Sequence, residues 1–405
     1  MKPIVRAGRM KPVHSDIRGP LFVEAMKRQK QGIDILKLNT GNPATFGFGL
    51  PDSIKNALME HMQDGVGYCD FKGMPQARQA ICDYETSKGI KGITPDDVFI
   101  GNGVSEVVSF ALTPLLNDGD EVLVPSPSYS LWGNSVYLED GKPVFYTCDE
   151  QANWYPDIQD IRSKITDKTK AIVIINPNNP TGVLYPKEIL LEIIQVAREF
   201  GLLIFADEIY DRLVMDGKQH ISLASLTEDV PVITLNGLSK SHCLCGYRCG
   251  WMVISGPREL TEDYRQGIIQ LTSLRLCANT MAQIVIPAAL DDMDTPASMV
   301  RPGGRIYEQR EATVRELEKI DGLSFVKNDA AFYVFPKLDV KKFNITNDKQ
   351  FAHDLLDATN ILLVPGSGFD WKDPDHFRIV MLPQADVLSD AIRRMGTFLD
   401  GYTQK

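Results

Sequence analysis

The sequence predicts an α/β protein, with a large domain built on a mostly parallel sheet and a smaller α+β domain after it. Three observations carry this. Ala171-Ile172-Val173-Ile174-Ile175 and Leu202-Leu203-Ile204-Phe205-Ala206 are unbroken apolar runs, the pattern of strands covered on both faces. Between them, residues 186–200 have helical apolar spacing, so the three segments form a βαβ unit with parallel strands and a right-handed crossover. Past residue 300 a charged helical stretch leads into short separated apolar runs, which is α+β character.

Taken in order, residues 1–45 read as an arm, with a helix-like stretch at 22–31. Leu36-Lys37-Leu38-Asn39 then runs into the turn signal Gly41-Asn42-Pro43. The large domain is expected over 46–295. In it Val98-Phe99-Ile100 is a short strand closed by Gly101-Asn102-Gly103, and residues 105–116 follow with helical spacing. Val232-Ile233-Thr234-Leu235 and Trp251-Met252-Val253-Ile254 read as further strands. The boundary falls near 290–305, around Pro296 and Pro302-Gly303-Gly304. The small domain, 296–405, has a helix at 304–320, strands at 332–335, 361–364 and 377–381, and a last helix at 389–399. The arm is expected to pack with it.

The chain has 405 residues, 43% hydrophobic and 24% charged, an ordinary composition for two or three globular domains. A net charge of −10 argues against a broad nucleic-acid surface and leaves room for local basic pockets. No apolar run approaches the roughly 18 residues of a membrane helix. Residues 1–20 hold five Lys or Arg but no apolar stretch of signal type, and the seven cysteines are scattered and odd in number. The expectation is a reduced, cytoplasmic protein with free thiols.

Polar residues fall where such a sheet binds ligands, beyond the carboxyl ends of its strands. Asn179 follows one buried strand, Asp207 ends the next, and Lys240 lies in the loop after a third. An amide, a carboxylate and an amine therefore converge on one edge, where a desolvated lysine is a nucleophile.

Asn176-Pro177-Asn178-Asn179-Pro180-Thr181-Gly182, Ala206-Asp207-Glu208-Ile209-Tyr210, Ser239-Lys240 with Gly246-Tyr247-Arg248-Cys249-Gly250-Trp251, and the late Phe377-Arg378 follow one another in an informative order. The set resembles the pyridoxal-phosphate (PLP) aminotransferases of the aspartate-aminotransferase fold, over essentially the whole chain. The resemblance implies fold type I of the PLP-dependent transferases, with a seven-stranded sheet in the large domain. It implies that Lys240 holds the cofactor and moves the substrate's Cα proton. Asp207 would pair with the ring nitrogen, an attraction of roughly 5 kcal/mol at ~3 Å and an effective dielectric of ~20. Tyr210 and Asn179 would bond the ring hydroxyl and Tyr129 would stack on the ring. Arg248, Ser239 and the helix start at Gly103, Val104 and Ser105 would hold the phosphate. Tyr68 resembles the tyrosine that reaches the phosphate from a neighbouring subunit, which implies a homodimer with shared sites. Arg378 resembles the arginine that grips the substrate α-carboxylate, and Gly41 and Asn42 lie where the arm closes over the substrate.

Some features depart from that pattern. Gly237 stands where relatives often have serine, so one phosphate bond is absent or comes from Ser239. Cys243, Cys245 and Cys249 crowd the loop after Lys240 in a spacing that is not a usual zinc pattern. His242 lies beside Lys240, but the chemistry needs no second base. Gly101-Asn102-Gly103 begins like a dinucleotide fingerprint without its third glycine. No metal is expected.

Asp16-Ile17-Arg18-Gly19-Pro20, Asn39-Thr40-Gly41-Asn42-Pro43, Gly67-Tyr68-Cys69-Asp70 and Pro302-Gly303-Gly304-Arg305 are most similar to the bacterial glutamate–pyruvate (alanine) aminotransferases. That implies alanine and 2-oxoglutarate as substrates in a ping-pong reaction. Arg18 is the candidate second cation for glutamate's distal carboxylate, with an arm-to-body salt bridge as the other reading of it. An aspartate- or aromatic-preferring transaminase and a PLP-dependent C–S lyase are the alternatives.

Overall fold

The central sheet has the strand order Val98–Gly101, Gly250–Ser255, Val232–Gly237, Leu203–Asp207, Thr169–Ile175, Glu121–Ser126, Lys142–Asp149 and Tyr155–Pro156. The computed structural model describes residues 2–405. Gly250–Ser255 runs against both of its neighbours, and the ladder from Val232–Gly237 to Lys142–Asp149 is parallel. Beyond the seven strands implied by the resemblance, the eighth is a two-residue edge, antiparallel to the end of Lys142–Asp149.

Both faces of the sheet are covered, and this explains the unbroken apolar runs. Ala171, Val173 and Ile175 join one core with Phe205, Ile233 and Val108, whereas Ile172 and Ile174 join another with Ile204 and Val232. Alternate side chains point to opposite faces, so a strand between two cores is apolar throughout. Helix Lys187–Phe200 closes the second core with Leu190, Ile193 and Ile194, the apolar stripe of its 3.6-residue period. Each such buried side chain contributes roughly 1.5–3 kcal/mol relative to exposure.

Glu121–Ser126 and Lys142–Asp149 lack that signature. Pro125 weakens the first as a strand candidate, yet the ladder with Thr169–Ile175 ends at Leu123, so its missing N–H costs no bond on that side. The second alternates in burial.

A further core gathers Leu317, Phe351, Leu355, Ile379, Leu388 and Met395, joined by Leu38 from near the N-terminus. Leu36–Lys37 pairs in parallel with Ile361–Leu362. The run expected as one strand at 361–364 is two, because Val364–Pro365 pairs instead with Phe377–Val380. The expected helices are Pro20–Lys30, Val104–Leu112, Arg305–Leu317 and Ala385–Leu399. Pro296, expected at a boundary, lies in the first turn of helix Asp294–Val300, where proline's missing N–H removes no helical bond. Among the described residues no single helix is long and apolar enough to cross a membrane.

Candidate active site

The carboxyl ends of the parallel strands share one edge of the sheet, and the chain beyond them lines a pocket of about 860 Å³. Asp207 ends Leu203–Asp207 and Tyr210 occupies the turn after it. Asn179 follows Thr169–Ile175, and Tyr129 follows Glu121–Ser126. Ser239 and Lys240, expected in a loop, lie in the one-turn helix Leu238–Ser241 directly after Val232–Gly237. Gly250–Ser255 starts at this same edge, which brings Arg248 just ahead of it into the pocket. Val104 and Ser105 open helix Val104–Leu112, while Gly41, Arg18 and Arg378 complete the wall.

Two expected residues do not line the pocket. Gly103 lies under the Arg248 guanidinium. With φ of 87°, and a guanidinium where a Cβ would stand, only glycine suits this place. Arg248 thus lies along a helix start whose first N–H groups have no helical partner, together an anion-binding corner. Tyr68 is 84% exposed and away from the pocket.

Asp207 is buried. Trp132 Nε1 donates to its Oδ2 at 3.1 Å and the Ile209 N–H to its Oδ1 at 3.4 Å. Burial still dominates and raises its pKa to about 6. Lys240 Nζ donates to Gly41 O at 3.0 Å and stands 5.7 Å from the centre of the Phe332 ring. Tyr210 and Tyr333 share a hydrogen bond between their hydroxyls at 2.9 Å. Burial raises the Tyr210 pKa far above the ordinary range, so it stays a neutral hydroxyl.

Arg378 is 1% exposed and lies between the rings of Tyr333 and Phe369, 4.6 Å from each centre. Its Nη1 donates to Asn179 Oδ1 at 2.8 Å, its Nη2 donates to Asn39 O, and its Nε has no acceptor. Among the described residues no carboxylate pairs with it. A buried guanidinium held only by neutral oxygens is costly unless an anionic ligand joins it.

At Gly237 a Cβ would lie 2.6 Å from Cys249 O and 3.0 Å from Gly250 Cα, so the paired strands leave no space for serine. Ser239 lines the pocket two residues later. His242 is fully buried outside the pocket, and burial, with the Arg212 charge, lowers its pKa to about 4. It is therefore neutral. Cys245 reaches the pocket and its thiol donates to Asn42 Oδ1 at 3.1 Å, while Cys243 Sγ lies 3.9 Å from Met299 Sδ.

Sequence reasoning misses Trp132 and Tyr333. Trp132 had one usable signal, its place three residues past Tyr129 at the start of a helix. Tyr333 sits within a run that reads as strand core.

The pocket thus offers an anion corner, a buried carboxylate, an amine and a second guanidinium that no carboxylate pairs among the described residues. The chain is 49% identical to a glutamate–pyruvate aminotransferase, AlaA, of Haemophilus influenzae over 404 residues, all of both chains. It superposes on the crystal structure of an aminotransferase from Escherichia coli with a TM-score of 0.98 at 46% identity, covering all of both chains. An alanine aminotransferase structure from Pyrococcus furiosus gives 0.93 at 40% identity, over 98% of this chain and 100% of that one. Residues 33–394 match the model of aminotransferase class I and II, and the chain belongs to that family.

Proposed function

We propose that the protein is a PLP-dependent aminotransferase that exchanges the amino group between alanine and 2-oxoglutarate, giving pyruvate and glutamate in two half-reactions. The observation that carries this is the convergence of Lys240, buried Asp207 and carboxylate-free Arg378 on one pocket. The full-length likeness to a glutamate–pyruvate enzyme supports the substrates.

The residues fit the cofactor's chemistry. Lys240 would take its aldehyde, Asp207 its ring nitrogen, and Tyr210 and Asn179 its ring hydroxyl, with Tyr129 against its face. Arg248, Ser239, Ser105 and the backbone from Gly103 to Val104 would hold its phosphate. When bound, pyridoxal phosphate supplies an electron sink for the pair left when a substrate Cα loses its proton.

This chain's residues do the rest. Arg378 binds the α-carboxylate with two N–H groups and so orients the Cα–H bond. The Lys240 amine holds or moves the proton at that carbon. Asp207, anionic at neutral pH with a pKa of about 6, stabilises a cationic ring nitrogen. Arg18 would pair with glutamate's distal carboxylate. It lines the pocket, is itself exposed and, among the described residues, makes no ion pair.

We extend the reading to a homodimer in which Tyr68 reaches the neighbour's phosphate. Tyr68 is exposed two residues after exposed Val66, apolar surface suited to a second copy. The units are the arm 1–45, the cofactor domain 46–295 and the small domain 296–405, and seven free thiols suit a reducing cytoplasm.

Borohydride reduction of the holoenzyme with peptide mapping tests the assignment, and cofactor tethered elsewhere than Lys240 rejects it. A panel of amino acids in the first half-reaction tests the substrate. Alanine and glutamate inert while aspartate or phenylalanine reacts would move the specificity, and ammonia release without an oxo-acid acceptor would indicate a lyase.

A further inference from the structure

Asp207, Ile209 and Tyr210 line the pocket, whereas Glu208 and Asp211 of the same turn do not. They belong to a buried charge cluster centred on Lys88, just past helix Pro75–Ser87. Lys88 Nζ lies 2.7 Å from Glu85 Oε2, 2.7 Å from Glu208 Oε2 and 3.2 Å from Asp211 Oδ2, with its side chain 13% exposed and the carboxylates 3% or less. Neutral donors reach the same three carboxylates. Trp251 Nε1 donates to Glu85 Oε1 at 3.1 Å, and Ser222 Oγ donates to Glu208 Oε1 at 2.9 Å. Tyr84 OH and Asn236 Nδ2 donate to Asp211 Oδ2 at 2.5 and 2.7 Å. His220 Nε2 stands 4.0 Å from Glu208 Oε2 and 3.1 Å from Asn176 O.

Glu208, Asp211 and His220 have ligand atoms close enough for a metal ion, but the Lys88 ammonium already stands on two of them. Lys88 thus sets a single positive charge among three buried carboxylates. What the cluster joins is informative. Glu208 and Asp211 share one turn with Asp207 and Tyr210, Asn236 is near the end of the strand that leads into the helix of Ser239 and Lys240, and Asn176 precedes Asn179 in one loop.

We propose that Lys88 is a positioning residue of the active site, whose ammonium ties Glu85, Glu208 and Asp211 together and so fixes where Asp207 and Tyr210 point. Without that cation, buried carboxylates gathered around one point repel, and the turn between them is the element free to move. Displacement of reacting groups by ~1 Å costs on the order of 100-fold in rate. The proposal rests on the functional reading above.

The test is Lys88→Met in the holoenzyme, with Lys88→Arg as the conservative variant. For Lys88→Met the half-reaction with alanine is expected to slow roughly 10- to 100-fold. The KM for alanine should move less than about 3-fold, because Arg378 lies on another strand. Affinity for pyridoxal phosphate, read by fluorescence titration of the apoenzyme without substrate, should weaken about 10-fold. Lys88→Arg should recover most of both losses. A lysine that only supports the fold gives a lower Tm with wild-type rate and cofactor affinity at a temperature where the variant is folded, and that result overturns the proposal. Should Lys88→Met not fold, Tyr84→Phe decides, since it removes one donor to Asp211 and keeps the charge balance. Unchanged rate and cofactor affinity then overturn the proposal, and a slower rate with unchanged KM supports it. A wild type that ignores alanine defeats the functional reading instead, and the affinity titration still decides the role of Lys88.

Discussion

Trp132 Nε1 donates to Asp207 Oδ2 at 3.1 Å deep in the core, with the indole tilted against Phe205 at 5.4 Å between ring centres. An indole donates but neither accepts nor ionises. It therefore satisfies one oxygen of Asp207 without neutralising its charge. In Trp132→Phe that oxygen loses its donor, and the Asp207 pKa should climb further above its present value of about 6. The expected cost is about 1–3 kcal/mol in the apoenzyme at pH 8, and less at pH 5, where the acid is protonated. Thermal unfolding at the two pH values measures it, and equal losses would contradict the assignment.

The same shift predicts how cofactor binding responds to pH. The folded pKa of Asp207 is raised above its unfolded value of 3.8, so this carboxyl costs stability progressively as pH rises from 3.8, and the full cost stands above about pH 6, where the folded group is charged. Two pKa units are worth roughly 3 kcal/mol. A cationic ring beside Asp207 relieves that penalty where it exists, at neutral and alkaline pH. The Tm gain on adding pyridoxal phosphate should therefore be larger at pH 8 than at pH 5, and Asp207→Asn should flatten the difference. A gain independent of pH in the wild type would count against the pairing.

The legible parts were those with a local cause. Strands buried on both faces announce themselves as apolar runs, and a sheet edge collects whatever follows its strands, so Asn179, Asp207 and Lys240 could be placed together from sequence. Trp132, Tyr333 and Lys88 could not. Each acts through a contact between segments far apart in the chain, 75 residues in the case of Trp132 and Asp207. A buried tryptophan or tyrosine also looks the same in sequence whether or not its polar atom is used. Glu121–Ser126 hid for another reason, since the register that makes Pro125 harmless exists only once its neighbours have paired.

His376 should make stability depend on pH. It is fully buried, stacked on Phe335, with Nδ1 2.6 Å from Asp375 Oδ1 and Nε2 3.4 Å from Glu150 Oε1. Lys337 Nζ faces the same carboxylates at 2.8 Å from Glu150 and 3.6 Å from Asp375. Burial works against the imidazolium, but the bonds to Asp375 and Glu150 outweigh it and raise the pKa above 6.5. A raised pKa contributes stability that is complete below 6.5 and lost as pH climbs through the higher native value. Asp375, lowered to about 2, contributes in the opposite sense, lost as pH falls below 3.8. The Tm gap between wild type and His376→Gln should therefore be wider at pH 6 than at pH 9.

Gly237 gives a prediction against the pattern of the family. Restoring serine there should not add a phosphate bond, because its Cβ would meet Cys249 O and Gly250 Cα across the strand pair. Gly237→Ser should lower stability by about 1–3 kcal/mol and leave cofactor affinity no better. Tighter binding of pyridoxal phosphate in this variant would show that the strands can part.

The two cations proposed for the substrate should separate cleanly in kinetics. Arg378 offers a planar fork already anchored on Asn179 Oδ1 and Asn39 O, and lysine cannot hold those acceptors and two carboxylate oxygens at once. In Arg378→Lys, kcat/KM should fall about 100-fold or more for every amino and oxo acid, since all carry the α-carboxylate. Arg18, exposed and without an ion pair among the described residues, has no comparable anchor. In Arg18→Ala the loss should be roughly 10- to 100-fold for glutamate and 2-oxoglutarate, and within about 3-fold for alanine and pyruvate. A uniform loss across all four substrates would mean that Arg18 only holds the N-terminal segment against the pocket. Retained discrimination between glutamate and alanine at wild-type rates would place the second cation elsewhere.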